Sequence, residues 1–263
     1  MGEVTNTTTV FAIAGTHGKT TTASFLTHSF DHLNLEFTSF LGGIMIAYQS
    51  NLVQKGNRFS IVEADEYDRS FLQLSPDFAC ITAMDTDHLD IYGNHDNMKK
   101  AFTQFSQLVT HKTVVAQGID LGDFTYGISE ETSYGVKNIR LSDQGYHFDL
   151  VTPKETHEDI YLNAIGQHNL SNAIGALAIV DVAGFPLADA LPALENFGGI
   201  HRRMEVFSFG NKTVVDDYAH HPEEIKAVLK TVAEFYPDKR NMVVFQPHLF
   251  SRTQDFMEAF AQV

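Results

Sequence analysis

The segment Val10-Phe11-Ala12-Ile13-Ala14-Gly15-Thr16-His17-Gly18-Lys19-Thr20-Thr21 sets an apolar run before two glycines, a lysine and a pair of threonines. The run has strand length, and the tract from about Thr20 to Leu33 reads as a helix, so the order is strand, glycine-containing turn, helix. In that order backbone N–H groups turn inward around phosphate oxygens, and the helix N-terminus adds partial positive charge. Gly15, Thr16, His17, Gly18, Lys19, Thr20 and Thr21 are therefore candidate nucleotide-binding residues. Lys19 would reach β- and γ-phosphates, and the Thr20 hydroxyl would sit on Mg²⁺. The usual G-x-x-x-x-G-K-[ST] spacing wants glycine at position 13, where this chain has Ile13. A helix cap that happens to contain Gly-Lys-Thr is the competing reading, and the preceding strand and following helix argue against it.

Outward from this segment, Phe59–Glu63, Phe78–Met84 and Thr113–Gln117 read as further short buried strands. Asn97–Val109 reads as a helix with Met98, Ala101, Phe102, Phe105 and Leu108 near one face. Alternating strands and helices predict an α/β fold with a mostly parallel P-loop-type sheet flanked by helices. Between Phe124 and Leu162 glycines and polar turns punctuate alternating stretches, which predicts a small antiparallel insertion. Helical patterning returns at Leu170–Val182 and Leu187–Phe197. After His201-Arg202-Arg203 two strands, a helix over Glu223–Phe235, a buried strand over Asn241–Gln246 and a helix over Arg252–Ala261 are expected. The division is then residues 1–204 as a central domain and residues 205–263 as the first part of a Rossmann-like α/β domain, too small to be complete.

The 263 residues carry a formal charge of −15, from 18 basic and 33 acidic side chains. That balance argues against nucleic-acid binding, which needs a basic footprint. No apolar run approaches the ~20 residues that span a bilayer, and the N-terminus lacks the basic region of a signal peptide. A single cysteine, Cys80, rules out an internal disulfide framework. A cytoplasmic protein with small-molecule partners and no membrane partner is expected.

Other clusters carry chemistry. Val62-Glu63-Ala64-Asp65-Glu66-Tyr67-Asp68 closes an apolar strand, where carboxylates face the ligand crevice of α/β proteins. Glu63, nearest the strand, is the best candidate ligand for a hard cation, although a solvated acidic loop is the plain alternative. His88, in Asp85-Thr86-Asp87-His88-Leu89-Asp90, follows a neighbouring strand and could complete that metal site. Asn169 and Asn172 stand three apart at a helix start, placed to read an adenine edge or simply to cap the helix. Arg203 lies by the expected domain junction, where an arginine can reach a γ-phosphate on closure. The pairs Asp216-Asp217 and His220-His221 are of types that hold ribose hydroxyls and a substrate carboxylate, or that populate an ordinary loop.

In this order, AGTHGKTTT, EADEYDRSFLQLSP, DTDHLDIYG, GQHNLSNAIGALA, HRRME, VDDYAHHPEEI and VFQPHLFSRT resemble the Mur ligase superfamily, the ATP-dependent amide-bond-forming enzymes of peptidoglycan synthesis, and cover nearly the whole chain. EADEYDRSFLQLSP favours the branch that joins L-alanine to UDP-N-acetylmuramate over the tripeptide-recycling branch. The resemblance implies ATP and Mg²⁺ as cofactors and an acyl-phosphate intermediate. It implies phosphate and Mg²⁺ contacts for Lys19 and Thr20, metal ligation by Glu63 and His88, and adenine-side roles for Asn169 and Asn172. It implies a γ-phosphate role for Arg203, ribose binding by Asp217, and places near the amino-acid substrate for His220, His221 and Arg252. Lys19, Arg203, His220 and His221 are thus the expected catalytic set. The family pattern often has arginine where this chain has Leu249. The family's uridine-binding N-terminal domain and the rest of its C-terminal domain are expected to be missing, leaving a chain inactive by itself. A tripeptide-recycling ligase and a non-catalytic nucleotide-binding module are the rival expectations.

Overall fold

The computed structural model describes residues 2–84, 95–248 and 250–263. After a helical turn, α1 (Gly2–Thr5), the chain enters β1 (Thr9–Ala14), which becomes the central strand of a seven-stranded sheet. Successive residues of β1 point to opposite faces. Phe11 and Ile13 join one buried cluster, and Val10, Ala12 and Ala14 join another. Both faces of the sheet are therefore covered, as an apolar run without alternation requires.

The first layer is built by α2 (Lys19–His32) and α4 (Gln167–Val182), which pack on each other and are buried along most of their length. The opposite layer holds a 3₁₀ helix (Tyr67–Gln73) and α3 (His95–Leu108), whose Met98, Phe102 and Phe105 pack with Phe71. The sheet order is β3-β2-β4-β1-β5-β6-β7, with β2 (Phe37–Met45), β3 (Ser50–Gln54), β4 (Phe59–Ala64), β5 (Phe78–Ile81), β6 (Lys112–Ala116) and β7 (Phe124–Tyr126). All neighbours are parallel except the β2–β3 hairpin. Because β1 lies between β4 and β5, the chain leaves it at a point where connections depart to both sides, the crevice in which such sheets bind ligands.

Several expected elements differ. The β2–β3 hairpin was not anticipated, because Gly42-Gly43 interrupts the apolar pattern of β2. The region from Phe124 is not wholly antiparallel: β7 extends the main sheet in parallel with β6, and only β8 (Gly135–Ser142), β9 (Gly145–Val151) and β10 (Thr156–Leu162) form the antiparallel insertion. The helix expected over Leu187–Phe197 is two short turns, α5 (Leu187–Ala190) and α6 (Pro192–Glu195), since Pro192 cannot donate within a continuous helix.

Beyond Met204, β11 (Glu205–Phe209) and β12 (Lys212–Asp216) pair as a two-stranded sheet, followed by α7 (Pro222–Phe235). Residues 241–246, expected as a buried strand, form no regular secondary structure and are exposed; Val244 is 91% accessible. Among the described residues no strand pairs with them, so their apolar side chains have no sheet to enter. The last helix is broken at Phe256 into α8 (Phe250–Asp255) and α9 (Met257–Gln262). No described helix is long and apolar enough to cross a membrane.

Candidate active site

The loop leaving β1 is tied down from below. Thr16 N–H donates to the Ala83 carbonyl at 3.1 Å, and the Thr82 hydroxyl contacts the carbonyls of Ala14 and His17. Ile13 is completely buried in β1, which explains why glycine is absent there: the turn begins later, at Gly15. Gly18 enters α2 with φ of 82°, and a Cβ on it would lie 2.5 Å from Asn172 Oδ1. Only glycine meets both demands.

Lys19, the first residue of α2, extends back along the loop. Its Nζ donates to the Gly15 carbonyl at 2.7 Å and to Glu66 Oε2 at 2.6 Å, with Asp65 at 4.0 Å. Glu66 is fully buried, and burial pushes its carboxyl up against the opposing pull of Lys19. One residue along, the Thr20 hydroxyl donates to Glu63 Oε1 at 2.8 Å, while Glu63 Oε2 accepts from Gly42 N–H at 2.7 Å. Register makes this possible: Ile13 of β1 pairs with Glu63 of β4, so both strands deliver their last residues to the same edge. Gly42 matters here too, since a Cβ on it would sit 2.6 Å from that carboxylate.

The cleft above these groups, about 150 Å³, is lined by Thr16–Thr21, Glu63, Arg203, His220 and Glu224. Arg203 is flanked by two residues in the left-handed region, Arg202 (φ 60°) and Met204 (φ 47°). Asp217 stabilises that turn: its oxygens accept from Met204 N–H and Ala219 N–H, each at 2.7 Å. Burial raises the Asp217 carboxyl, opposed by those two bonds and by Arg203. Tyr218 stacks against both arginines, 5.0 Å from Arg202 and 5.5 Å from Arg203.

The structure thus gathers Gly15, Thr16, His17, Gly18, Lys19, Thr20, Thr21, Glu63, Arg203 and His220 at one place. His221 stands next to His220 but caps α7, accepting from Glu223 N–H, and its ring lies 5.6 Å from that of His17. The two asparagines part company. Asn172 lies under Gly18 and accepts from the Thr22 hydroxyl at 3.3 Å, whereas Asn169 lines a second cavity of about 540 Å³ together with Thr21, Arg203 and Gly199. Asn169 also donates to the Ile165 carbonyl, an interaction within its own helix start. His88 and Leu249, and the side chain of Arg252, lie outside the described residues.

Two site residues escaped the sequence reading. Glu66 was one of several acids in a run, and only the fold shows that it, not Asp65, holds Lys19 at close range. Glu224 belongs to an ordinary-looking helix start, His221-Pro222-Glu223-Glu224, whose capping-box spacing gives no sign of a contact with His17.

Comparison with known proteins follows the same outline. A family model described as the Mur ligase middle domain matches residues 13–180, and one described as Mur ligase, glutamate ligase domain, matches residues 202–263. A UDP-N-acetylmuramate–L-alanine ligase from Christiangramia forsetii is 46% identical over 99% of this chain and 58% of its own length. Its counterpart from Flavobacterium johnsoniae is 44% identical over the whole chain and 59% of its own length. The crystal structure of UDP-N-acetylmuramate-alanine ligase from Thermotoga maritima superposes with a TM-score of 0.84 at 34% identity, covering 97% of this chain and 59% of that one. The chain therefore spans somewhat under two thirds of the length of the relatives it matches.

Proposed function

The chain belongs to the Mur ligase family, and from that premise we propose that it is the ATP-binding core of a ligase joining L-alanine to UDP-N-acetylmuramate. The observation that carries this reading is the shared cleft. Lys19 and Thr20 from the start of α2 and Glu63 from β4 share the cleft with Arg203 and His220 from the later part of the chain, so phosphate-binding and acceptor-side groups line one space. A nucleotide-binding module without chemistry has no need of the second set.

A Mg²⁺ ion fits the residues present. The Thr20 hydroxyl and Glu63 carboxylate are hard oxygen donors 2.8 Å apart beside the start of α2, and His88 is a further proposed ligand. When bound, the ion would offset charge on the β- and γ-phosphates. Asn169 beside the larger cavity suits the adenine side, with Asn172 supporting the loop beneath the phosphates. Asp217 holds the Arg203 turn and is our candidate for the ribose.

In the first step a carboxylate oxygen of the muramyl group attacks the γ-phosphorus, the bond to the β-phosphate oxygen breaks, and ADP leaves. Two anions must meet. Lys19 donates to phosphate oxygens after exchanging Glu66 for them, and Arg203 approaches the γ-phosphate from the opposite side. In the second step the alanine amine attacks the acyl carbon and inorganic phosphate departs from the tetrahedral intermediate as the amine loses its proton. His220 and His221 lie on the side where that amino acid would sit. One well-placed charge-stabilising donor is commonly worth ~3 kcal/mol, so positioning and electrostatics suffice without a covalent protein nucleophile. Cys80, wholly buried with its thiol pushed up to about 12 by that burial, takes no part.

The test is calorimetric titration of this chain with Mg²⁺–ATP, with Lys19→Ala as control. Micromolar to millimolar binding that the substitution weakens at least tenfold is expected; equal binding by both would remove the phosphate-loop assignment.

A further inference from the structure

Glu224 is used on both oxygens by segments far apart in the chain. Oε1 lies 3.1 Å from His17 Nδ1, across a separation of 207 residues, and Oε2 accepts from His220 N–H at 2.9 Å and His221 N–H at 3.2 Å. The His220 ring nitrogen Nδ1 is also within 3.4 Å of Oε2. Burial alone would push the Glu224 carboxyl up, but the bonds from His17 and His220 hold it well below the usual carboxylate range. An ionised carboxylate only accepts, so His17 Nδ1 is the donor. The capping box of α7 accounts for Oε2. It does not account for Oε1, which leaves the helix to reach the phosphate loop one residue before Gly18. Glu224 also lines the cleft that contains Lys19 and His220.

We propose that Glu224 is a positioning residue that ties the phosphate loop to the His220-His221 loop, so that nucleotide and amino-acid occupancy are energetically coupled through it. This rests on the ligase reading of the cleft. A rigid carboxylate shared between two loops gives each a preferred position relative to the other, so a ligand that orders one lowers the cost of ordering its neighbour. Coupling of this kind is reciprocal between the two ligands. Loss of either end of the link, His17 or Glu224, should have the same consequence.

The experiment uses the full-length gene product with UDP-N-acetylmuramate present. The Kd of β,γ-methylene-ATP is measured by calorimetry with and without saturating L-alanine, and turnover with ATP is recorded in parallel. In the unaltered protein L-alanine is expected to tighten the analogue by about fivefold or more. In Glu224→Ala and in His17→Ala the factor should fall to within twofold of unity, and the double variant should lose nothing further. Glu224→Gln, which keeps one acceptor oxygen and so cannot serve both loops fully, should be intermediate, and its melting temperature separates lost coupling from a lost helix cap. An unaltered protein without coupling, or a Glu224→Ala protein that retains it, overturns the proposal while leaving the ligase reading intact. An unaltered protein without turnover overturns both.

Discussion

Lys19 Nζ and Glu66 Oε2 are 2.6 Å apart, and the carboxylate is fully buried. The cation that would bind phosphate is therefore already paired, and a nucleotide must compete for it. Glu66→Gln removes the competing charge. If the competition is worth ~1 kcal/mol, Mg²⁺–ATP should bind about fivefold tighter to the variant. Calorimetry on the 263-residue chain checks this, and unchanged or weaker binding would show that Glu66 holds Lys19 in its working position.

Glu63 and Thr20 make the second prediction. Their 2.8 Å contact joins two of the three proposed metal donors. Glu63→Ala should abolish the Mg²⁺ dependence of ATP binding and lower turnover by roughly a hundredfold or more, on the scale of one lost electrostatic contact of ~3 kcal/mol. Thr20→Ala, which removes a neutral ligand, should cost less than Glu63→Ala in the same Mg²⁺ titration.

Gly18 offers a test of the loop itself. An alanine there must take a left-handed backbone and push against Asn172, so Gly18→Ala should destabilise the chain by about 1–2 kcal/mol or more. Urea unfolding measures it. Shortening the neighbour in Gly18→Ala/Asn172→Ala should recover the steric part and not the backbone part.

His168, at the start of α4, is lowered from 6.5 to about 4, first by burial and then by the charge of Arg203. Between those values the unfolded chain holds a proton that the folded chain rejects, so stability rises with pH across that window and falls as pH drops through it. At roughly 1.4 kcal/mol per unit, the loss from pH 7 to pH 5 attributable to this ring is about 2 kcal/mol. Urea midpoints at the two pH values should therefore move closer together in His168→Asn than in the unaltered chain. An undiminished gap would place the acid sensitivity elsewhere.

The fold was legible where local chemistry and long-range packing agree. β1, the glycine turn and α2 could be read because an unbroken apolar run, two glycines and a helical tract each demand one conformation. The hairpin β2–β3 was hidden because the need for glycine at position 42 is set by long-range geometry: its reason is the Glu63 carboxylate, 21 residues away. Residues 241–246 mislead in the opposite direction. Their apolar pattern states what the side chains would prefer, but a strand exists only where a neighbour supplies its hydrogen bonds. The site divides in the same way. Lys19, Thr20 and Glu63 announce themselves by type and spacing, whereas the roles of Glu66, Asn172 and Glu224 arise from contacts across 47, 150 and 207 residues that no local pattern encodes.

The most direct test of the central claim is phosphate release from ATP by the full-length gene product with UDP-N-acetylmuramate, comparing L-alanine, glycine, L-serine and the recycled tripeptide, with Lys19→Ala as control. Release that requires both the sugar nucleotide and L-alanine, and that disappears in the Lys19 variant, is the predicted result. Release supported by the tripeptide instead, or none with any acceptor, would contradict the account.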